Sequence, residues 1–234
     1  KEKVEHLAES LANFRGTSSE LMMLVPRAGG EMGSGEHSNP RWNTKGYLMR
    51  FMNVTLLAMG LTLSAQGAMA ATNAVYILDG SNSMWGQIDG VAKIATAKSV
   101  ISDLLKNSPP DLNVGLVAYG HRSEGKCDDI EILKALGPKD ADTSVKLVNA
   151  IKPKGKTPIG GSLKVAGAMF SETDANNNII LVSDGVETCD VDPCAISADL
   201  AAKGIHTKVH VVGFDIGETE RKELQCIADK GNGK

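Results

Sequence analysis

Aromatic side chains are scarce: two Trp, three Tyr and four Phe make up 4% of the 234 residues. The interior must therefore be assembled from Val, Ile, Leu, Ala and Met. A surplus of positive charge is also missing, with 25 basic against 28 acidic side chains and a formal net charge of −3. That balance excludes an electrostatic case for nucleic-acid binding, which rests on a basic surface. No apolar run approaches the roughly 20 residues of a comfortable membrane span. No internal repeat is visible, and no acidic cluster has the spacing and Gly of a helix-flanked calcium loop. What remains is an ordinary globular composition, 42% apolar, of a length that suits one or two domains.

The average conceals three unlike segments. Residues 1–48 carry six basic and six acidic groups, 49–70 add only Arg50, and 71–234 carry 18 basic and 22 acidic, hence net −4. The middle segment joins Arg50, an apolar run from Val54 to Leu63 and a closing Ala68-Met69-Ala70, the pattern of a secretory signal peptide. Cleavage is expected between Ala70 and Ala71; a buried helix of a larger domain and an uncleaved signal anchor are the alternatives. A signal peptide begins near a translation start, so Met49 or Met52 is the expected start. Residues 1–48 are then expected to be disordered or upstream sequence outside the product. Ala28 to Lys45 contains four Gly and one Pro without sustained periodicity, while Glu2 to Phe14 holds one or two amphipathic turns.

From Ala71 onward, short apolar runs alternate with helical spacings. Ala74–Leu78, Val114–Tyr119, Ile179–Val182 and Val209–Phe214 read as strands, the first two as strands buried on both faces, and Ile130–Leu133 as a further one. Helices are expected over Val91–Lys106, around Val145–Ile151, around Leu163–Phe170, and from Glu218 to Asp229. Another is framed by Asp192 as N-cap, Pro193 as first residue and Gly204 as stop. Gly120–Asp129 reads as a hairpin loop. The alternation predicts an α/β fold: a doubly wound, mostly parallel sheet with helices on both faces.

In such a sheet, ligands gather outside the carboxyl ends of the strands. The first strand ends in Asp79-Gly80-Ser81-Asn82-Ser83, where a carboxylate and two hydroxyls recur at every second residue. In a locally extended loop all three would face one point. The strand before the Asp192 helix ends in Ser183-Asp184-Gly185, and Thr157 precedes a helix between them. Two carboxylates with three hydroxyls form an oxygen-only set, which suits a hard cation: Mg²⁺, with Mn²⁺ or Ca²⁺ as alternatives.

Asp79-x-Ser81-x-Ser83, Thr157 and Asp184 in this order resemble a von Willebrand factor type A domain with a metal-ion-dependent adhesion site. The windows Leu78–Gln87, Val117–His121, Lys154–Pro158 and Leu181–Gly185 resemble the exported bacterial branch of that family, and the likeness spans about 73–234. It implies a Rossmann-like fold in which Ser81, Ser83 and Thr157 ligate Mg²⁺ directly. Asp79 and Asp184 would hold the ion directly or through water, and an acidic side chain of a partner protein would take the remaining position. Asn82, between the serines, is tolerable because Asn enters the left-handed region more readily than most residues. One departure is the absence of a final strand and helix after Asp229. The last edge strand is thus expected to be missing, the domain truncated at its C-terminal end, and Val209–Phe214 an exposed edge.

Cys127, Cys189, Cys194 and Cys226 all follow the signal segment, and an even number after export suggests two disulfides. The topology places most of them near the carboxyl edge of the sheet, where they would staple the metal loops; three pairings are possible, of which Cys127–Cys189 with Cys194–Cys226 is the one expected. The Cys189–Cys194 spacing fits a zinc site poorly. His121 and His206 have no nucleophile motif nearby, and His210 reads as structural. Trp85 is either an exposed contact at the binding face or a lid over the first helix. Glu187, Asp190 and Asp192 read as a solvated acidic loop. Lys152, Lys154 and Lys156 read as a solvated basic one, because Ala150 stands where a phosphate loop needs its first Gly.

The leading functional expectation is a non-catalytic, periplasmic or secreted module that captures an acidic residue of a partner protein through Mg²⁺. It needs no nucleic acid and, after signal cleavage, no membrane span; its oligomeric state is open. A hydrolase with Asp79 as nucleophile would want a second carboxylate two residues on, where Ser81 stands, and no Gly-x-Ser-x-Gly elbow exists. A regulatory or assembly partner of an ATP-driven complex is the third possibility, disfavoured by the export signal.

Overall fold

The computed structural model describes residues 71–171, 175–203 and 206–234. The readings of 1–48 as disordered or upstream, of 49–70 as a signal peptide, and of Gly204 as a helix stop lie outside these residues.

The chain begins with β1 (Thr72–Asp79) and a 3-10 turn (Asn82–Trp85), followed by a small ribbon of β2 (Gln87–Ile88) and β3 (Val91–Ala92). Then come α1 (Lys93–Asn107), β4 (Asn113–Tyr119), β5 (Ile130–Pro138), α2 (Ala141–Ala150) and α3 (Ile159–Ala168). The order closes with β6 (Asn176–Ser183), α4 (Pro193–Ala202), β7 (Thr207–Gly213) and α5 (Glu218–Lys230). Five strands form one sheet in the order β5-β4-β1-β6-β7. β1 pairs in parallel with β4 and β6, β6 in parallel with β7, and only β5 runs antiparallel. This is the α/β sheet expected from the alternating pattern.

The two faces follow from strand alternation. Val75 and Ile77 of β1, Val117 and Tyr119 of β4, and Ile179 and Leu181 of β6 share a core with Ile159, Leu163, Ile196, Leu200, Leu224 and Ile227 of α3, α4 and α5. The intervening Tyr76, Leu78, Leu116 and Ile180 are buried on the opposite face. α1 and α2 pack together, and α1 buries Ile94, Ala97, Ile101 and Leu105, one helical stripe. Asp140 and Asp192 cap α2 and α4 by accepting the Thr143 and Ala195 N–H groups, each at 3.0 Å. Such caps contribute about 1 kcal/mol apiece. At the amino end of the sheet, the Asn113 amide donates to Asn73 (3.0 Å) and the Asn73 amide to Asn177 (2.8 Å) across three strands in register.

Among the differences from the sequence reading, two concern boundaries and one an edge. Val91 and Ala92 belong to the ribbon, so α1 starts at Lys93. β5 runs to Pro138 rather than Leu133: as a half-buried edge strand it needs no continuous apolar run. β7 is the other edge, as expected, but that edge is not bare. The N–H groups of Val209 and Val211 donate to the carbonyls of Gly231 and Lys234, both at 2.9 Å. Among the described residues, no helix is long and apolar enough to cross a membrane.

Candidate functional site

The carboxyl ends of β1, β4 and β6 meet the loop before α3, and glycine backbones knit them together. The Gly80 N–H donates to the Tyr119 carbonyl (2.8 Å), and the Gly155 N–H to the Gly120 carbonyl (2.7 Å). The Asn82 N–H donates to the Gly155 carbonyl at 3.0 Å. A Cβ at Gly80 would stand 2.6 Å from the Tyr119 carbonyl oxygen, and one at Gly120 (φ +65°) 2.3 Å from that of Lys156. These close approaches are open only to glycine.

On this frame sits a chain of oxygen atoms. The Ser81 N–H donates to Asp79 Oδ1 (2.7 Å), the Ser81 and Ser83 hydroxyls share a hydrogen bond (3.0 Å), and Ser83 Oγ donates to Asp184 Oδ1 (2.7 Å). Convergence does not come from an extended loop, as the every-second-residue spacing suggested. Ser81 instead ends the extended segment and the 3-10 turn folds Ser83 back over it. Asn82 opens that turn without a left-handed backbone, so the tolerance argued for it is not called upon. Thr157, buried in the loop before α3, lines the same open cleft of about 710 Å³ as Ser81, Ser83 and Asp184. Thr188 fixes it, accepting from the Thr157 N–H at 2.8 Å and donating its own N–H to the Thr157 carbonyl at 3.2 Å.

Asp79 is fully buried, and burial pushes its carboxyl above the ordinary value. Hydrogen bonds from Ser183 (2.6 Å) and Ser81 counter that push, and the charge of Asp184 adds to it. Ser183 also accepts from the buried Tyr119 hydroxyl at 3.2 Å. Burial first, then the charge of Asp79, raise the Tyr119 phenol well above its usual value, so it remains a donor. Asp184 Oδ2 is buried without a well-aligned hydrogen bond; the Lys93 ammonium faces it at 3.1 Å. Burial alone would lower Lys93. Its contact with Asp184 and then with Asp215 outweighs burial and leaves the ammonium above the ordinary lysine value.

Charge decides what this cleft attracts. Asp184, Asp215 and Glu220 line it with Lys93 and Lys156, and Asp79 lies directly beneath. Four carboxylates against two ammonium groups leave two negative charges, which one divalent cation would balance. Among the described residues no three His, Cys, Asp or Glu side chains form a metal-binding group. The donors here are instead two carboxylates and three hydroxyls, a set that fits a hard, oxygen-seeking ion.

Both disulfides take the favoured pairing, Cys127–Cys189 and Cys194–Cys226, with Cα separations of 5.5 and 5.6 Å. The first ties the β4–β5 loop to the segment after Asp184. In that segment Glu187 is not solvated, contrary to expectation. Its carboxylate accepts the Gly160 and Cys189 N–H groups (both 2.7 Å) and so anchors the start of α3. Burial raises its carboxyl above the ordinary value, the two N–H groups oppose this, and the Glu223 charge adds to it. Asp192 is the α4 cap. Trp85 is exposed (52%), two residues past Ser83, its indole N–H donating to the Pro153 carbonyl at 3.0 Å. His121 pairs with Glu131 at 2.9 Å. Sequence reasoning assigned no role to Lys93, Tyr119, Ser183 or Thr188. Ser183 is adjacent to a named residue and Tyr119 ends an expected strand, whereas Lys93 and Thr188 carry no local signal.

A profile of the von Willebrand factor type A domain matches residues 74–187. Two Bacillus subtilis proteins without characterised function, YwmD and YwmC, are 31% and 32% identical to the chain. The YwmD alignment covers 70% of the chain and 78% of YwmD; that with YwmC covers 77% and 86%. Among solved structures, the pilus adhesin SpaC from Lactobacillus rhamnosus GG superposes with a TM-score of 0.59 at 16% identity, over 71% of this chain and 28% of SpaC. Proximal thread matrix protein 1 from the mussel byssus, described with a zinc-occupied MIDAS motif, gives 0.53 at 19% identity, over 69% and 40%. At these identities the two structures establish likeness of fold.

Proposed function

The chain belongs to the von Willebrand factor type A domain family, and on that premise we propose that it is a metal-dependent, non-catalytic protein-binding module. Ser81, Ser83 and Thr157 would hold Mg²⁺, with Asp79 and Asp184 binding it directly or through water; Mn²⁺ and Ca²⁺ are the alternative ions. The bound ion would supply a Lewis-acidic position for an Asp or Glu side chain of a partner protein. The observation that carries this reading is the hydrogen-bonded run Asp79–Ser81–Ser83–Asp184, drawn from two strand ends into one cleft whose charge a divalent cation would balance.

This chain's residues prepare that position. Ser183 and Tyr119 hold Asp79 from beneath, Thr188 orients Thr157, and the Cys127–Cys189 bond fixes the two loops that flank it. Two disulfides support an exported setting, periplasmic or secreted. The place two residues after Asp79, where a hydrolase would put a general acid, holds Ser81, which supports a binding role. The test is capture of extracytoplasmic proteins by the immobilised full chain in Mg²⁺ and in EDTA. A partner retained only with Mg²⁺ and lost with Asp79→Ala supports the reading; retention indifferent to chelator and to Asp79→Ala overturns it.

A further inference from the structure

Lys93 is the first residue of α1, and its side chain lines the cleft and reaches two carboxylates there. Its backbone N–H donates to the Gly86 carbonyl at 2.8 Å. Its stem packs over Gly86, where an added Cβ would come within 3.2 Å of the Lys93 Cε. The side chain is 12% exposed, and its ammonium stands between two carboxylates: Asp184 Oδ2 at 3.1 Å and Asp215 Oδ2 at 3.4 Å. Asp184 is a proposed metal-binding residue. Asp215 is not; it lies after β7 with its side chain 59% exposed. A fixed cation is therefore shared between the metal position and a neighbouring carboxylate.

We propose that Lys93 is a tethered counter-ion of the metal position. It satisfies Asp184 when no metal is bound, passes to Asp215 when a divalent ion arrives, and tunes the site for an acidic ligand at the cost of metal affinity. The inference rests on the metal-dependent reading above and adds a specificity-determining residue to it.

The effect is one of charge. A cation within hydrogen-bonding reach of a ligand carboxylate competes with an incoming divalent ion and repels it, so Lys93 weakens metal binding. Once the metal is in place the sign reverses. The lining carboxylates Asp184, Asp215 and Glu220, with Asp79 beneath them, are then balanced by the ion together with Lys93 and Lys156. Without Lys93 the loaded cleft would keep a net negative charge and repel the carboxylate it is meant to accept. A residue that merely held the fold would, on removal, weaken both binding events. Lys93 should move them in opposite directions.

The test is calorimetry on the oxidised full chain, first titrating Mg²⁺ and then titrating acetate, a bare carboxylate probe, into the Mg²⁺-loaded protein. Lys93→Gln should bind Mg²⁺ about tenfold more tightly or better, the scale on which one unit charge at this range acts. The same variant should bind acetate more weakly, and Lys93→Arg, which keeps the charge, should restore both toward wild type. Asp215→Asn, an exposed change that leaves the fold alone, removes the second resting place of the ammonium and should weaken Mg²⁺ binding several-fold. Wild-type protein that binds Mg²⁺ alongside a Lys93→Gln variant that binds it no more tightly overturns the inference and spares the metal reading. If Lys93→Gln does not fold, an Asp215→Asn variant with unchanged Mg²⁺ affinity overturns it. Wild-type protein that binds no Mg²⁺ overturns the metal reading itself, and the inference with it.

Discussion

Ser83 Oγ donates a 2.7 Å hydrogen bond to Asp184 Oδ1 across 101 residues of sequence, joining the turn after β1 to the end of β6. This bond brings a proposed hydroxyl ligand against a proposed carboxylate ligand. Ser83→Ala removes a bond to a charged group, and such bonds contribute about 1.5–3 kcal/mol. In EDTA the variant is expected to lose stability on that scale in urea unfolding. In Mg²⁺ the loss should be larger, because the metal would no longer find a complete set.

Ser183→Ala tests the support beneath the site. Ser183 donates to Asp79 at 2.6 Å and accepts from Tyr119 at 3.2 Å, so its loss leaves a buried carboxylate poorly held. Partners of a ligand typically alter metal affinity by about 10–100-fold when removed. Mg²⁺ titration calorimetry should register a drop in that range with unchanged stoichiometry, while Tyr119→Phe gives a smaller drop.

The two disulfides are expected to separate stability from metal binding. They close loops of 62 and 32 residues, for which the chain-entropy account gives about 4 kcal/mol each. Replacing either pair by Ser should therefore lower stability by a similar amount. Only loss of Cys127–Cys189, which steadies the loop carrying Thr188, should also weaken Mg²⁺ binding. Loss of Cys194–Cys226, which joins α4 to α5, should leave the affinity near wild type.

Asp129 gives a pH signature away from the metal site. Its buried carboxylate accepts the Arg122 and Ser123 N–H groups, both at 2.8 Å, and Arg122 Nε at 2.7 Å. Burial alone would raise its carboxyl; these bonds and the Arg122 charge outweigh burial and hold it below the ordinary 3.8. A lowered folded value means that the stability it contributes is complete above the ordinary value and is lost as pH falls through the folded one. Asp129→Asn should destabilise the protein at pH 7, and its deficit against wild type should shrink as pH drops below about 3.8. A deficit that stays constant down to pH 2 would contradict the assignment.

Much of this was legible in the chain because it is encoded locally. Buried strands such as Ile179–Val182 are continuous apolar runs, and Asp192-Pro193 announces a helix start by itself. Asp79, Ser81, Ser83 and Asp184 could be named because strand ends in a parallel sheet face one edge, whereas the cysteine count left three pairings open. What escaped depends on contacts between distant segments. Nothing near Lys93 indicates that its ammonium crosses to Asp184 and Asp215. Glu187 looked solvated because its partners, Gly160 and Glu223, come from other elements. β5 outran its apolar stretch because an edge strand is held by its ladder, and the β7 edge looked bare because the pairing of Gly231–Lys234 has no sequence pattern.

The central claim is that five oxygen-bearing side chains form one divalent-cation site. Titration of Mg²⁺ into the oxidised full chain, with Asp79→Ala in parallel, tests it most directly. One saturable site per chain is expected in the wild type and none in the variant. Absence of a saturable site in the wild type, or one that survives Asp79→Ala unchanged, would contradict it.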